Sequence, residues 1–503
     1  MKSFFSLSII VASFGVFFDQ QALAQAKKPN VLFILVDDFG WRDIHNYGSD
    51  FFETPNMDKL AGESLKFTQA YSTYPRCVPS RYSIMTGAHP ARINKSRTGP
   101  GFTVHTPNIS IGQAMKDAGY NTFYIGKWHL GEGQYAPSNV GFDYNIASGN
   151  AGATSSHFAP YNLDAKGEAV RTILIPDLDD APKGENLEDR LTNEAIKRLK
   201  EDAGKDKPFF GVLAHYAVHA PLQGKPEYVK YFQEKIKKHP AAGPDFEQES
   251  AGKNKLKQDN PVYAAMIKNL DNNIGKIIKA LDDLGISKNT IIIVTSDHGG
   301  LSSSGNNRGL ATSNRPLRAG KGNLYEGGIR VPLFIKWPGV VKGGTQTNSI
   351  VQGIDNFPTI LDMVGGKMPK QQLADGKSYI DVIKEGKAYT NRTIFWHNPD
   401  PSPVTTADIY SSAVRSGDYK LVDLFADGKK ELYNLKDDIG EHHDIAAQHP
   451  DLVNKLFAEL DAWRKKIGAD MNIVPKNLSV SQRAARSIPE PVNNKRKERE
   501  ADR

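Results

Sequence analysis

Unbroken apolar runs recur along this chain, and each ends in a polar or charged cluster. The first is Asn30-Val31-Leu32-Phe33-Ile34-Leu35-Val36, followed by Asp37-Asp38. A run of this length without polar alternation predicts a strand buried on both faces. Asn121 to Ile125 predicts a short strand leading into Gly126-Lys127-Trp128-His129. Pro208 to Tyr216 leads to His219-Ala220-Pro221, and Thr290 to Thr295 runs into Ser296-Asp297-His298-Gly299-Gly300. Val331 to Lys336 predicts one more strand. Between these runs the apolar spacing changes to three and four. From Pro261 to Leu284, Met266, Leu270, Ile274, Ile277, Leu281 and Leu284 mark one helical face that Gly285 closes. Helices are also predicted after Thr54-Pro55 (a cap residue, then Pro at the first helical position), over Ile109 to Ala118, and over Asn186 to Ala203.

Strands alternating with helices predict an α/β fold, a large, mostly parallel sheet sandwiched by helices. Ligands bind such sheets outside the carboxyl ends of the strands. Asp37-Asp38, Lys127 with His129, His219, and Asp297-His298 all fall at those ends. A merely solvated set of polar residues would not prefer one end of each strand. Past about residue 375 the texture changes. Ser411 to Val422 and Lys430 to Asn434 predict a small antiparallel sheet, and Asp451 to Lys466 an amphipathic helix. A chain of 503 residues exceeds the roughly 250–300 at which single cores stop growing. The expected organisation is a large domain over 25–375 and a smaller C-terminal α+β domain with an antiparallel sheet over 376–475.

The two termini read differently. Residues 1–24 have the form of a signal peptide, with Lys2, an apolar stretch from Phe4 to Phe18, and Ala22-Leu23-Ala24 as the cleavage site. The stretch is interrupted by serines and short of the about 20 residues a spanning helix needs, so cleavage rather than a membrane anchor is expected. This places the protein outside the cytoplasm, secreted or periplasmic. Residues 476–503 read as a disordered basic tail. Formal net charge is +7. An exported chain rarely meets nucleic acid, so this basicity points to an anionic polysaccharide rather than to nucleic acid. Oligomeric state is left open.

A single cysteine, Cys77, lies in Cys77-Val78-Pro79-Ser80-Arg81. Alone it cannot form an internal disulfide. At average residue usage C-x-P-S-R turns up in roughly one in a thousand chains of this length, which favours a chemical reason for the thiol. Pro79-Ser80-Arg81 reads as the first turn of a helix, whose free N–H groups favour an anion. Arg81, Lys127 and Lys321 add positive charge for a tetrahedral oxyanion; Lys321 lies in the glycine-rich Gly320-Lys321-Gly322-Asn323-Leu324-Tyr325-Glu326-Gly327-Gly328. His129 and His219 are candidate proton carriers. Asp37, Asp38, Asp297 and His298 can converge on one cation. Carboxylate oxygens favour Ca²⁺ or Mg²⁺, while the imidazole also suits Zn²⁺ or Mn²⁺.

With these motifs in hand, the chain resembles the type I sulfatases of the alkaline phosphatase superfamily. C-x-P-S-R matches that family's modification signature, and Gly126-Lys127-Trp128-His129-Leu130-Gly131 its second signature. The acidic pair, the His-x-Pro at His219 and the Gly-Lys…Glu-Gly-Gly element follow in the family's order, over about Pro29 to Gly339. The resemblance implies a sulfuric ester hydrolase in which a maturation enzyme oxidises Cys77 to Cα-formylglycine. Asp37, Asp38, Asp297, His298 and the modified Cys77 would hold a divalent cation, with Ca²⁺ the choice and Mg²⁺ or another divalent the alternatives. Arg81 and Lys127 would hold the modified residue and the sulfate oxygens. His219 or Lys321 would protonate the leaving oxygen, and His129 would take a proton from the hydrated aldehyde, so that sulfate leaves by C–O cleavage. Many members carry Asn where His298 stands, which weakens the case for Ca²⁺ specifically. The expected substrate is a sulfated carbohydrate, with His157, Asn314, Arg315, Arg318 and His397, in loop-like segments near the motifs, as candidate sugar contacts. Two other readings are a phosphonate monoester or phosphodiester hydrolase using the same nucleophile, and an inactive glycan-binding relative with an unmodified thiol.

Overall fold

Strand Asn30–Val36 lies near the middle of a nine-stranded sheet, and all seven of its residues are buried. Leu32, Ile34 and Val36 enter one core, with helices Leu187–Ala203 and Pro261–Asp283. Val31, Phe33 and Leu35 enter the other, with helices Cys77–Thr86, Ile111–Asp117 and Asn356–Met363. That is the two-sided burial which an unbroken apolar strand requires, and each such side chain contributes about 1.5–3 kcal/mol. The computed structural model describes residues 27–93, 101–164, 166–169, 174–306 and 309–471. The signal-peptide reading of 1–24 and the disordered-tail reading of 476–503 lie outside the described residues.

From one edge the strand order is Thr345–Thr347, Leu65–Tyr71, Arg330–Lys336, Thr290–Ser296, Asn30–Val36, Phe209–His215, Asn121–Gly126, Tyr144–Ile146, with Val351–Gln352 also on Leu65–Tyr71. Arg330–Lys336 alone runs against the rest. Its reversal has a consequence for the site. The segment before it, 320–329, lies at the same edge as the carboxyl ends of the parallel strands.

Helix Pro261–Asp283 starts where the spacing predicts. Pro261 takes the first position, and the Asn260 side chain accepts from the backbone N–H groups of Val262 and Tyr263. Helix Pro226–Lys238 has no counterpart in the sequence reading. Among the described residues no helix is long and apolar enough to cross a membrane.

A second, antiparallel sheet contains Thr393–Asn398, Ser411–Ser416, Tyr419–Leu424 and Lys429–Asn434. The run from Ser411 to Val422 supplies two of these strands, joined as a hairpin. Gly417 turns it with φ of +59°, a conformation that favours glycine. Leu456 and Leu460 of helix Pro450–Ile467 cover one face, on Val414, Leu421 and Leu432. Trp396, Ala413, Val422 and Tyr433 on the other face pack against Tyr71, Leu324, Tyr325 and Ile329 of the large unit. Lys420, fully buried at this junction, lies 3.0 Å from Glu326 and 2.8 Å from Glu441.

Candidate active site

Cys77 is the first residue of helix Cys77–Thr86, so its side chain stands at the positive end of the helix. Its Sγ is 3.4 Å from Asp37 Oδ1, 3.2 Å from His298 Nε2 and 3.6 Å from Lys321 Nζ. Each neighbour follows or precedes a different strand of the large sheet. Asp38 adopts φ of 57°, which lets two successive carboxylates reach one cavity instead of alternating across the sheet. The acids are held by cations. Lys127 pairs with Asp37. Arg81 Nε donates to Asp297 Oδ2 at 2.9 Å and Nη1 to the Lys127 carbonyl at 2.6 Å. Lys321 Nζ donates to Asp38 Oδ1 at 2.6 Å. His219 Nε2 lies 3.8 Å from Asp38 Oδ2. The His129 ring packs against Gly152, where a Cβ would come within 2.2 Å of Cε1, so only glycine leaves the ring its place.

Asp37, Cys77, Asp297 and His298 offer ligand atoms within 4.8 Å of one another. The donor set fits a divalent cation. Burial, with Asp37 adding to it, pushes the Asp297 carboxyl up to about 7, because neighbouring buried carboxylates cannot all ionise without more positive charge. Burial pushes Asp37 up as well, but Lys127, His219, Arg81 and Lys321 outweigh it and hold it well below the ordinary range. At Cys77, burial and the Asp37 charge raise the thiol, while Lys127, Lys321 and His298 prevail and bring it down to about 6. The pocket therefore favours an anion where Sγ stands. Burial, then Lys127, holds His129 well below its ordinary value, and burial with Lys321 lowers His219. Both imidazoles are neutral bases in this state.

The site opens into a cleft of about 700 Å³. The Arg81, Lys127, His129, His219 and Lys321 picked out from the sequence all converge on it or on the carboxylates beneath it. Tyr74, Arg76, Phe102, Asp400 and Ser402 also line the cleft and were not picked out. Arg76 could have been found from its place beside Cys77; its guanidinium is 2.6 Å from Asp408 and 2.7 Å from Thr406. Asp400 and Ser402 lie more than three hundred positions along the chain, with no local signal.

The five candidate sugar contacts do not line this cleft; each holds protein groups instead. His157, 1% exposed, lies 3.0 Å from the His219 carbonyl. Asn314 is buried and donates to the Gly300 and Ala319 carbonyls at 3.0 and 3.1 Å. Arg315 reaches Glu247 at 2.6 Å, beside a separate cleft. Arg318 reaches Glu249 at 2.7 Å and stacks on Tyr325. His397 lies in a strand, not a loop, and bonds Ser412 at 2.7 Å and the Asp470 carbonyl at 2.9 Å. His157, Asn314 and His397 are buried, and buried polar side chains must be satisfied by the scaffold; sequence proximity does not separate that use from ligand binding.

Glu188 was not picked out either. Two imidazoles and a backbone N–H surround its buried carboxylate. Burial raises its pKa, but the bonds from His157 and His215 prevail and hold it at about 2. A folded value below the unfolded one, about 4.5, gives stability that is complete above about 4.5 and is lost as pH falls towards 2. At about 1.4 kcal/mol per unit this amounts to about 3 kcal/mol. In chelator-treated protein, the deficit of Glu188→Gln in denaturant unfolding is expected to shrink on acidification through this window. A deficit independent of pH would refute the assignment.

The family model described as Sulfatase matches residues 29–366, and that described as N-sulphoglucosamine sulphohydrolase, C-terminal, matches 320–466. The chain is 30% identical to a protein named Sulfatase from Formosa agariphila, over 90% of this chain and 91% of that one. It is 31% identical to N-acetylgalactosamine-6-sulfatase of Canis lupus familiaris, over 78% of this chain and 72% of the relative. The crystal structure of Ps i-CgsB in complex with k-i-k-neocarrahexaose superposes with a TM-score of 0.70 at 27% identity, over 87% of this chain and 92% of that one. With its motifs gathered around Cys77 and both family models spanning its two sheets, this chain belongs to the type I sulfatases of the alkaline phosphatase superfamily and is a sulfuric ester hydrolase.

Proposed function

We propose that this sulfatase removes sulfate from a sulfated carbohydrate, outside the cytoplasm, after a maturation enzyme has converted Cys77 to Cα-formylglycine. The observation that carries the reading is the place of Cys77. It lies against Asp37, His298 and Lys321 at the floor of an open cleft of about 700 Å³, within the roughly 300–1,000 Å³ of ordinary ligand sites. Support for a sugar comes from the relative named N-acetylgalactosamine-6-sulfatase and from the neocarrahexaose bound in Ps i-CgsB.

A divalent cation, Ca²⁺ by choice, would be held by Asp37, Asp38, Asp297, His298 and the modified Cys77 and would supply positive charge to the site, and formylglycine would supply the nucleophilic hydroxyl. Lys127 and Lys321 bind the remaining sulfate charge from two sides, and Arg81 keeps Asp297 in place. His219 locks its Nδ1–H on the Ala220 carbonyl at 2.7 Å, so Nε2 is the nitrogen left for the substrate. An anionic ester in the cleft raises the proton affinity of that imidazole, which takes up a proton from solvent at Nε2 as substrate binds. As the S–O bond breaks, its electron pair stays on the sugar oxygen, which takes the Nε2 proton. Neutral His129 is the proton acceptor on the opposite wall.

The test is a substrate panel on matured enzyme: sulfated N-acetylgalactosamine and carrageenan oligosaccharides, an aryl sulfate and a phosphodiester. At least one sugar sulfate is expected to exceed the phosphodiester in kcat/KM by about 100-fold or more. A faster phosphodiester, or activity on aryl sulfate alone, overturns the proposal.

A further inference from the structure

The turn that carries His219 is gripped from behind by a carboxylate that takes no part in the chemistry above. Glu188, 2% exposed, lies in the first turn of helix Leu187–Ala203. The Asn186 side chain caps that helix and accepts the Glu188 N–H at 3.0 Å. Glu188 Oε1 accepts the Ala217 N–H at 2.8 Å, and Oε2 lies 2.6 Å from His215 Nδ1. A carboxylate only accepts, so His215 donates there. His157 puts Nδ1 3.5 Å from Glu188 Oε1 and Nε2 3.0 Å from the His219 carbonyl, to which it must donate. Glu188 thus reaches the turn directly at Ala217; His157, donating from Nε2, holds the His219 carbonyl and leaves its Nδ1 without a hydrogen bond to Glu188.

The other side of the same turn is tied to the metal-binding strand. Asp37 N–H donates to the Ala217 carbonyl at 3.2 Å, and Val218 N–H donates to the Asp37 carbonyl at 2.8 Å. Any displacement of Ala217 therefore moves His219 relative to the site. Burying a carboxylate beside two imidazoles carries a desolvation cost against its pH-dependent gain in stability, a cost that apolar residues of similar volume avoid. What such a network adds is direction, because each bond fixes an angle as well as a distance.

We infer that Glu188 is a positioning residue for the leaving-group acid, placing His219 Nε2 at the departing oxygen through Ala217, with His157 holding the His219 carbonyl from the same side. The inference rests on the assignment of His219 as that acid. It also gives His157 a use in place of sugar contact.

A general acid matters most where the leaving oxygen is a poor one, so the test is a comparison of leaving groups. In matured, Ca²⁺-loaded full-length enzyme, kcat/KM is measured for a sugar sulfate and for 4-nitrophenyl sulfate, whose phenolate departs with little help. The ratio of the two is independent of how much of a variant is correctly folded. His219→Ala is expected to lower the sugar-to-aryl ratio by about 100-fold, within the range of acid catalysis. Glu188→Gln is expected to lower it about 10-fold, with His157→Gln in the same direction. Glu188→Asp, which keeps the charge but shortens the reach to Ala217, carries the test if Glu188→Gln yields no enzyme. A lowered ratio in His219→Ala with a normal ratio in the Glu188 variant overturns the role given to Glu188. An unchanged ratio in His219→Ala itself overturns the acid assignment, and the inference falls with it.

Discussion

Cys77→Ala is expected to lower sulfate release by about 10⁴-fold or more, the scale on which removing a nucleophile acts. Alanine leaves both walls of the cleft in place and removes only the atom on which Asp37, His298 and Lys321 converge. Residual activity would report substrate binding without covalent chemistry. The same position can be examined in the unaltered protein. In active preparations the Cys77 peptide should carry one oxygen in place of sulfur and two hydrogens. Any unconverted fraction should be inactive and readily alkylated by iodoacetamide. Lys127, Lys321 and His298 outweigh burial and Asp37 and lower its thiol, which favours thiolate, the reactive form. Full activity in protein whose Cys77 is entirely thiol would end the formylglycine reading and favour a different nucleophile.

Removing divalent cations should be nearly as damaging, about 10²-fold or more, with activity returning on addition of Ca²⁺. Three buried carboxylates and an imidazole meet around Cys77, while Lys127, Lys321 and Arg81 are each already engaged by one of the acids. Without the cation, Asp297 retains a proton up to about 7, and Lys127 and Lys321 are spent on protein acids rather than on sulfate. Asp297→Asn removes one negative ligand and should lower cation affinity as well as turnover. Metal analysis of enzyme purified without chelator checks the identity of the ion. The imidazole of His298 also suits softer ions, so stoichiometric Zn²⁺ with no Ca²⁺ would overturn the choice of Ca²⁺. Activity unaffected by exhaustive chelation would overturn the cation altogether.

These expectations rest on residues that local patterns announce. An apolar run such as Val31 to Val36 can only be a strand covered on both sides, and the polar residues that follow it must then lie at the sheet's carboxyl edge. Asp37, Asp38, Lys127, His219, Asp297 and His298 were legible for that reason, and Cys77, Arg81 and Lys321 through the composition of their own short segments. The antiparallel direction of Arg330–Lys336 was not legible, because an apolar strand has the same pattern in either direction. The Ser411–Val422 run holds a hairpin because one glycine with a left-handed φ is enough to reverse a chain.

From its own sequence this chain determines its sheet, its two-sided core and the chemical inventory at one edge, since periodicity and short motifs are properties of neighbouring residues. Tertiary structure alone decides who meets whom across the chain. It brings Asp400 and Ser402 to the cleft beside Cys77, sets His157, Asn314, Arg315, Arg318 and His397 outside the lining of that cleft, and places Glu188 behind His219. The reason is physical: a buried polar group must find its partner in space, and that partner is chosen by packing rather than by sequence distance.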